Sequence, residues 1–199
     1  MNYRIKRLVI SFIAIIIIII LFMTWFYPFS NYSIYQSYNY KPDSVMVAGY
    51  LEDLNEFKIS LEKDLEHENQ EKDGYINFTV DRTQYILSLF DQDWLVSKEP
   101  VRISKRDIED MLFKVGNVRE TLLDLIARED YTVEQRDYLV STIKNILYIE
   151  DQLHVLKEGK GTSRSSLRIQ IHNLHGEFMG AFMMYSSFYN LIRNPIENE

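Results

Sequence analysis

Leu8 to Tyr27 is a run of twenty residues without a charge, fourteen of them Leu, Ile, Val or Phe. Coiled as a helix at about 1.5 Å of rise per residue, it is about 30 Å long, the depth of a bilayer's hydrocarbon core. Ile15 to Ile20 is unbroken isoleucine, and β-branched side chains of this kind favour a strand in water. In lipid the segment must pair its own backbone N–H and C=O groups, and a helix does so. At about −0.3 to −0.6 kcal/mol per large apolar residue, insertion gains about 4 to 8 kcal/mol. Trp25, Phe26 and Tyr27 fall where an aromatic belt belongs, and Pro28 ends the helix.

Arg4, Lys6 and Arg7 precede this run, and the next charge after it is Lys41. The positive-inside rule predicts residues 1–7 in the cytoplasm, residues 8–27 in the cell membrane as a single pass, and the rest on the extracytoplasmic side. A cleaved signal peptide is the competing reading. Its apolar core is usually about 7 to 15 residues and closes on a small-residue site. Here the run is longer and passes straight into Trp-Phe-Tyr-Pro-Phe. The chain has no cysteine, which removes disulfides, a thiol nucleophile, Cys-ligated zinc and a lipidated cysteine. An outward-facing domain built this way is held together by packing, and the residues beyond the anchor are enough for one domain.

Residues 28–42 read as a tether, with Tyr32, Tyr35, Tyr38 and Tyr40 set among Ser and Asn between two prolines. Two placements compete for these tyrosines: the headgroup region of the membrane, or the surface of the domain. Residues 43–194 read as an all-α body, an antiparallel bundle of about five helices, followed by a tail, 195–199. Apolar residues recur there at spacings of three and four. The stripes run from Val47 to Leu61, Ile76 to Trp94, Ile108 to Leu125, Leu139 to Leu156, and Leu167 to Ile192. Ser104 with Asp107 and Thr132 with Gln135 spell capping boxes, and Ser163 is a third cap. A partial strand-like alternation, Tyr75 to Val80, merges into the second stripe. Phe178 to Ile192 is uncharged and apolar nearly all round, which fits a central buried helix better than a span, since it is short and contains Ser186, Ser187 and Asn190. Gly176 and Gly180 on one face would let a neighbour approach closely. The same heptad spacing is compatible with a homo-oligomer.

Chemistry-bearing patterns are sparse. His172 and His175, one turn apart on the last helix with Glu177 nearby, are the candidate metal ligands, because imidazoles at that spacing can share a face. The alternative is a helix boundary flanking Ile171 and Leu174. Asp64-Leu-Glu-His67 and Asp151-Gln-Leu-His154 resemble half of a di-iron bundle motif, but with Asp for Glu and without the inward partners. No nucleophile elbow or complete phosphate loop is present, and Gly159-Lys-Gly-Thr-Ser lacks the upstream glycine. No organic cofactor is implied, and the chain reads as a non-enzyme. Removing the three charges of residues 1–7 from the net −7 leaves −10 on the remainder, which argues against nucleic acid and anionic head groups as partners. Lys157, Lys160, Arg164 and Arg168 form one local basic patch suited to an acidic partner or to the helix's own acidic neighbours. The expectation is a membrane-anchored interaction or accessory module. It contacts the bilayer through residues 8–27 and another envelope protein through its body. The alternative is a metal- or small-ligand-binding bundle.

Overall fold

The computed structural model describes residues 3–70, 77–159 and 162–194. They form α1 (Tyr3–Phe26), β1 (Ser37–Tyr40), α2 (Ser44–Gln70), α3 (Phe78–Phe90), α4 (Asp93–Val96), β2 (Val101–Ser104), α5 (Lys105–Arg128), α6 (Val133–Glu158) and α7 (Arg164–Arg193). The protein is mostly helical, with an apolar helix at its N-terminus that is long enough to cross a membrane.

None of α1 is buried. The other long helices share one core. In α2 that core takes Val47, Tyr50, Leu54, Phe57 and Leu61, and in α5 it takes Ile108, Met111, Val115, Val118, Leu122 and Leu125, as the spacing predicts. Helix α7 is the central member. It packs along α6 and buries eleven residues, among them Phe178, Phe182, Tyr185, Phe188 and Tyr189. The Phe182 ring lies 5.3 to 5.5 Å from the rings of Tyr50, Phe57 and Phe90, so α2 and α3 meet α7 through aromatic edges. The hydroxyls buried between α3 and α7 are satisfied internally. Thr83 Oγ1 donates to the Thr79 carbonyl and pairs with Tyr185 at 2.6 Å, while Thr79 Oγ1 pairs with Tyr131 at 2.7 Å.

Helix ends follow the caps written in the chain. Capping boxes stand at Ser104–Asp107 and Thr132–Gln135, and the Ser163 side chain accepts from Ser166 N–H. Gly159 closes α6 in the left-handed conformation, φ 58°. Its backbone lies so near Phe29 that an added Cβ would stand 2.9 Å from the Phe29 carbonyl oxygen.

Four details differ from the sequence expectation. The all-α description needs a correction, because β1 and β2 pair antiparallel, with Tyr38 opposite Ile103 and Asn39 opposite Arg102. Each strand has four residues, too few for alternation to stand out beside long helical stripes. Residues 37–40 therefore belong to the body: Tyr38 and Tyr40 are buried, as is Phe29, whereas Tyr32 and Tyr35 remain exposed. The second stripe is broken after Phe90 into α3 and the single turn α4; its opening residue and the alternation at Tyr75 lie outside the described residues. Finally, a Cβ at Gly176 or Gly180 would meet nothing within 4 Å, so no helix makes a close approach there.

Candidate functional site

His172, His175 and Glu177 all lie on α7, but the structure does not gather them. His175 is fully buried between the rings of Tyr40 and Trp94, each 5.5 Å away, and its Nε2 is 3.2 Å from the Leu95 carbonyl oxygen. Burial pushes its pKa down to about 4, against a weaker upward pull from the Leu95 carbonyl. The neutral ring donates from Nε2, so Nδ1 is left as an acceptor; it and the Trp94 indole nitrogen have no partner. His172 is exposed, with Nδ1 3.5 Å from the Tyr40 hydroxyl. Glu177 is two residues beyond His175, about 200° further round a helix of 3.6 residues per turn, and so points elsewhere. Among the described residues no three His, Cys, Asp or Glu side chains stand close enough to hold a metal.

The two di-iron-like fragments are also separate. The Asp64 carboxylate accepts from the Tyr189 hydroxyl and pairs with Arg193, both at 2.7 Å. Asp151 and His154 are exposed on α6. The basic patch divides as well: Lys157 pairs with Glu109 at 3.3 Å, Lys160 lies outside the described residues, and Arg164 turns toward α1.

That turn forms the more distinctive site, a groove of about 500 Å³ where the C-terminal end of α1 meets the body. Two hydrogen bonds fix the junction. Thr24 Oγ1 accepts from Ile34 N–H at 3.1 Å, and Arg164 Nε donates to the Trp25 carbonyl at 2.9 Å. The Arg164 guanidinium also lies over the Trp25 ring, 4.5 Å from its centroid. The opposite wall comes from the strand pair. Alternation sends Tyr38, Tyr40 and Ile103 inward and leaves Ser37, Asn39 and Arg102 on the outer face. Arg102 Nε donates to Ser37 Oγ at 2.9 Å. Its guanidinium lies 5.8 Å from the Tyr35 ring centroid. The remaining lining is Leu21, Ser33, Ile34 and Tyr35, with no carboxylate among the lining residues. Ser33 is buried, and its Oγ has no hydrogen-bond partner.

Sequence reasoning noted Arg164 but assigned it to a patch with Lys157. It gave no site role to Arg102, which reaches the end of α1 through the pairing of β1 with β2, or to Ser33, whose burial only the fold reveals. Comparison with protein-family models, curated proteins and solved structures finds no match for this chain.

Proposed function

We propose that the chain is a single-pass, membrane-anchored accessory module that works by contact with another envelope protein rather than by catalysis. In this reading α1 spans the cell membrane with residues 1–7 in the cytoplasm. The body, an antiparallel bundle of about five helices with a small strand pair, stands on the extracytoplasmic side. The observation that carries the proposal is α1 itself, a 24-residue apolar helix with no buried residue. Leaving fourteen large apolar side chains in water forgoes about 1.5 to 3 kcal/mol each, about 20 to 40 kcal/mol in total. That exceeds the net stability of a typical domain, about 5 to 15 kcal/mol, which favours an apolar environment for α1. Retention of the helix is supported by its two hydrogen bonds to the body, through Ile34 and Arg164.

A non-catalytic body is supported by how its interior polar groups are used. Tyr50 donates to the Phe90 carbonyl at 2.6 Å, Gln92 to the Leu89 carbonyl at 2.7 Å, and Tyr185 pairs with Thr83. Burial holds the Tyr50, Tyr185 and Tyr189 phenols far above the ordinary value, protonated throughout the physiological range.

Protease treatment of intact cells, combined with carbonate extraction of membranes, tests the anchor and its direction. The full-length chain is expected in the carbonate-resistant fraction, with the body digested from outside. A shortened polypeptide free in the medium, or a body protected until the cells are lysed, refutes the reading.

A further inference from the structure

The groove between α1 and the strand pair is lined by basic side chains without an acidic one, although Arg102 also borders a second hollow lined by Asp91, Asp93, Asp107 and Asp110. In a chain with 29 acidic residues, its lining has two arginines and no carboxylate. Neither guanidinium forms an ion pair among the described residues. Each is instead fixed by its Nε, Arg102 on Ser37 and Arg164 on the Trp25 carbonyl, and each lies near an aromatic ring. Their terminal nitrogens are left with donors to spend, in orientations already set. Ser33 is the independent sign. Its hydroxyl is buried in the same lining and unpartnered, which costs free energy unless a ligand or solvent meets it.

Position narrows the ligand. Leu21 and Thr24 belong to the last turns of α1, so the groove opens at one end of the apolar helix, with exposed Trp25 and Tyr35 in its lining. On the membrane reading above, on which this inference rests, that end is at headgroup depth, where amphipathic rings gather. The unpaired carbonyls at the end of α1 alone would repel an anion, but Arg164 covers one of them. The −10 of the body is also weak opposition, because charges further than a Debye length of about 8 Å are largely screened at physiological salt.

We propose that this groove binds the phosphate of a membrane phospholipid. The phosphate accepts from Arg102, Arg164 and Ser33, and the acyl chains lie along the Leu21 side of α1. Guanidinium pairs suit this chemistry because their planar forks match phosphate oxygens.

The test uses the full-length chain in mild detergent. Its tryptophans are Trp25 in the groove and Trp94 in the core, so fluorescence quenching or shift on titration reports groove occupancy. Short-chain phosphatidylglycerol is expected to bind saturably, the diacylglycerol of the same chains not at all, and inorganic phosphate at least about tenfold more weakly, having no chains to contribute. Arg102→Gln and Arg164→Gln are each expected to weaken phosphatidylglycerol about tenfold or more, and Ser33→Ala about threefold. Arg102→Lys, which keeps the charge and loses the fork, is expected to fall between. Arg102 is exposed on the outer face of β2, so its variants test the site without disturbing the core.

Equal binding of inorganic phosphate overturns the lipid as ligand. Equal binding of diacylglycerol, or arginine variants that bind as the parent does, overturns the phosphate site. Carbonate extraction distinguishes the two levels of failure. A chain that stays in the membrane but ignores the phosphate loses only this inference, whereas a chain recovered free of the membrane loses the reading beneath it.

Discussion

His175 gives the sharpest quantitative test of the core. Its ring is sealed between Tyr40 and Trp94, with Nε2 on the Leu95 carbonyl, and the exposed His172 nearby adds a small repulsion to the charged form. Its pKa is pushed from 6.5 down to about 4, chiefly by burial. The unfolded chain therefore takes up this proton first. The stability that neutral His175 contributes is complete above pH 6.5 and is lost progressively as pH falls from 6.5 toward 4. At about 1.4 kcal/mol for each pH unit separating the unfolded and folded values, the full loss over that window is about 3 kcal/mol. Near the middle of the window it amounts to a slope of about 1 kcal/mol per pH unit. His175→Gln keeps an N–H for the Leu95 carbonyl but does not titrate. The assay is denaturant unfolding of the full-length chain in detergent, followed by circular dichroism at a series of pH values. The carboxylates titrate in both proteins, so their contribution cancels in the difference. The variant is expected to be less stable at pH 7, where it fits the pocket less well, and to lose stability less steeply as the solution is acidified. Identical slopes for the two proteins would refute the placement of a neutral histidine in the core.

Two further outcomes follow from the packing. Because Thr83 already spends its proton on the Thr79 carbonyl, Tyr185 is the donor in the pair between them. Tyr185→Phe should then cost about 1 kcal/mol, while Thr83→Val, which strands a buried phenol proton, should cost about 2 to 3 kcal/mol. Chemical denaturation of the two variants compares them directly, and the reverse order would contradict the assigned direction. Gly159→Ala introduces both a left-handed alanine and a Cβ pressed on the Phe29 carbonyl oxygen, 2.9 Å away. It should destabilise by about 2 kcal/mol, of which about 1 to 2 kcal/mol is conformational, and lower the melting temperature by about 4 to 8 °C. An unchanged melting temperature would mean that Phe29 is not held against the end of α6.

Local physics was legible without coordinates wherever one segment carried the whole signal. The apolar run from Leu8 to Tyr27 marks a helix long and apolar enough to cross a membrane, and the stripes of α2, α5, α6 and α7 give the faces they bury. Ser104, Thr132, Ser163 and Gly159 mark helix ends because capping involves only neighbouring residues. The metal reading of His172 and His175 rested on spacing along one helix. Spacing could not reveal that Leu95, eighty residues away in sequence, would occupy one imidazole nitrogen. Likewise Ser37–Tyr40 became a strand only because Val101–Ser104 came to lie beside it. Arg102 and Arg164 line one groove at the end of α1 because β2 and the start of α7 both reach it. Periodicity and capping are properties of neighbours in the chain, so the order of residues is enough to set them. The burial of His175 and the lining of one groove by Arg102, Arg164 and Ser33 depend on which distant segments share space, and that is settled only when the chain packs.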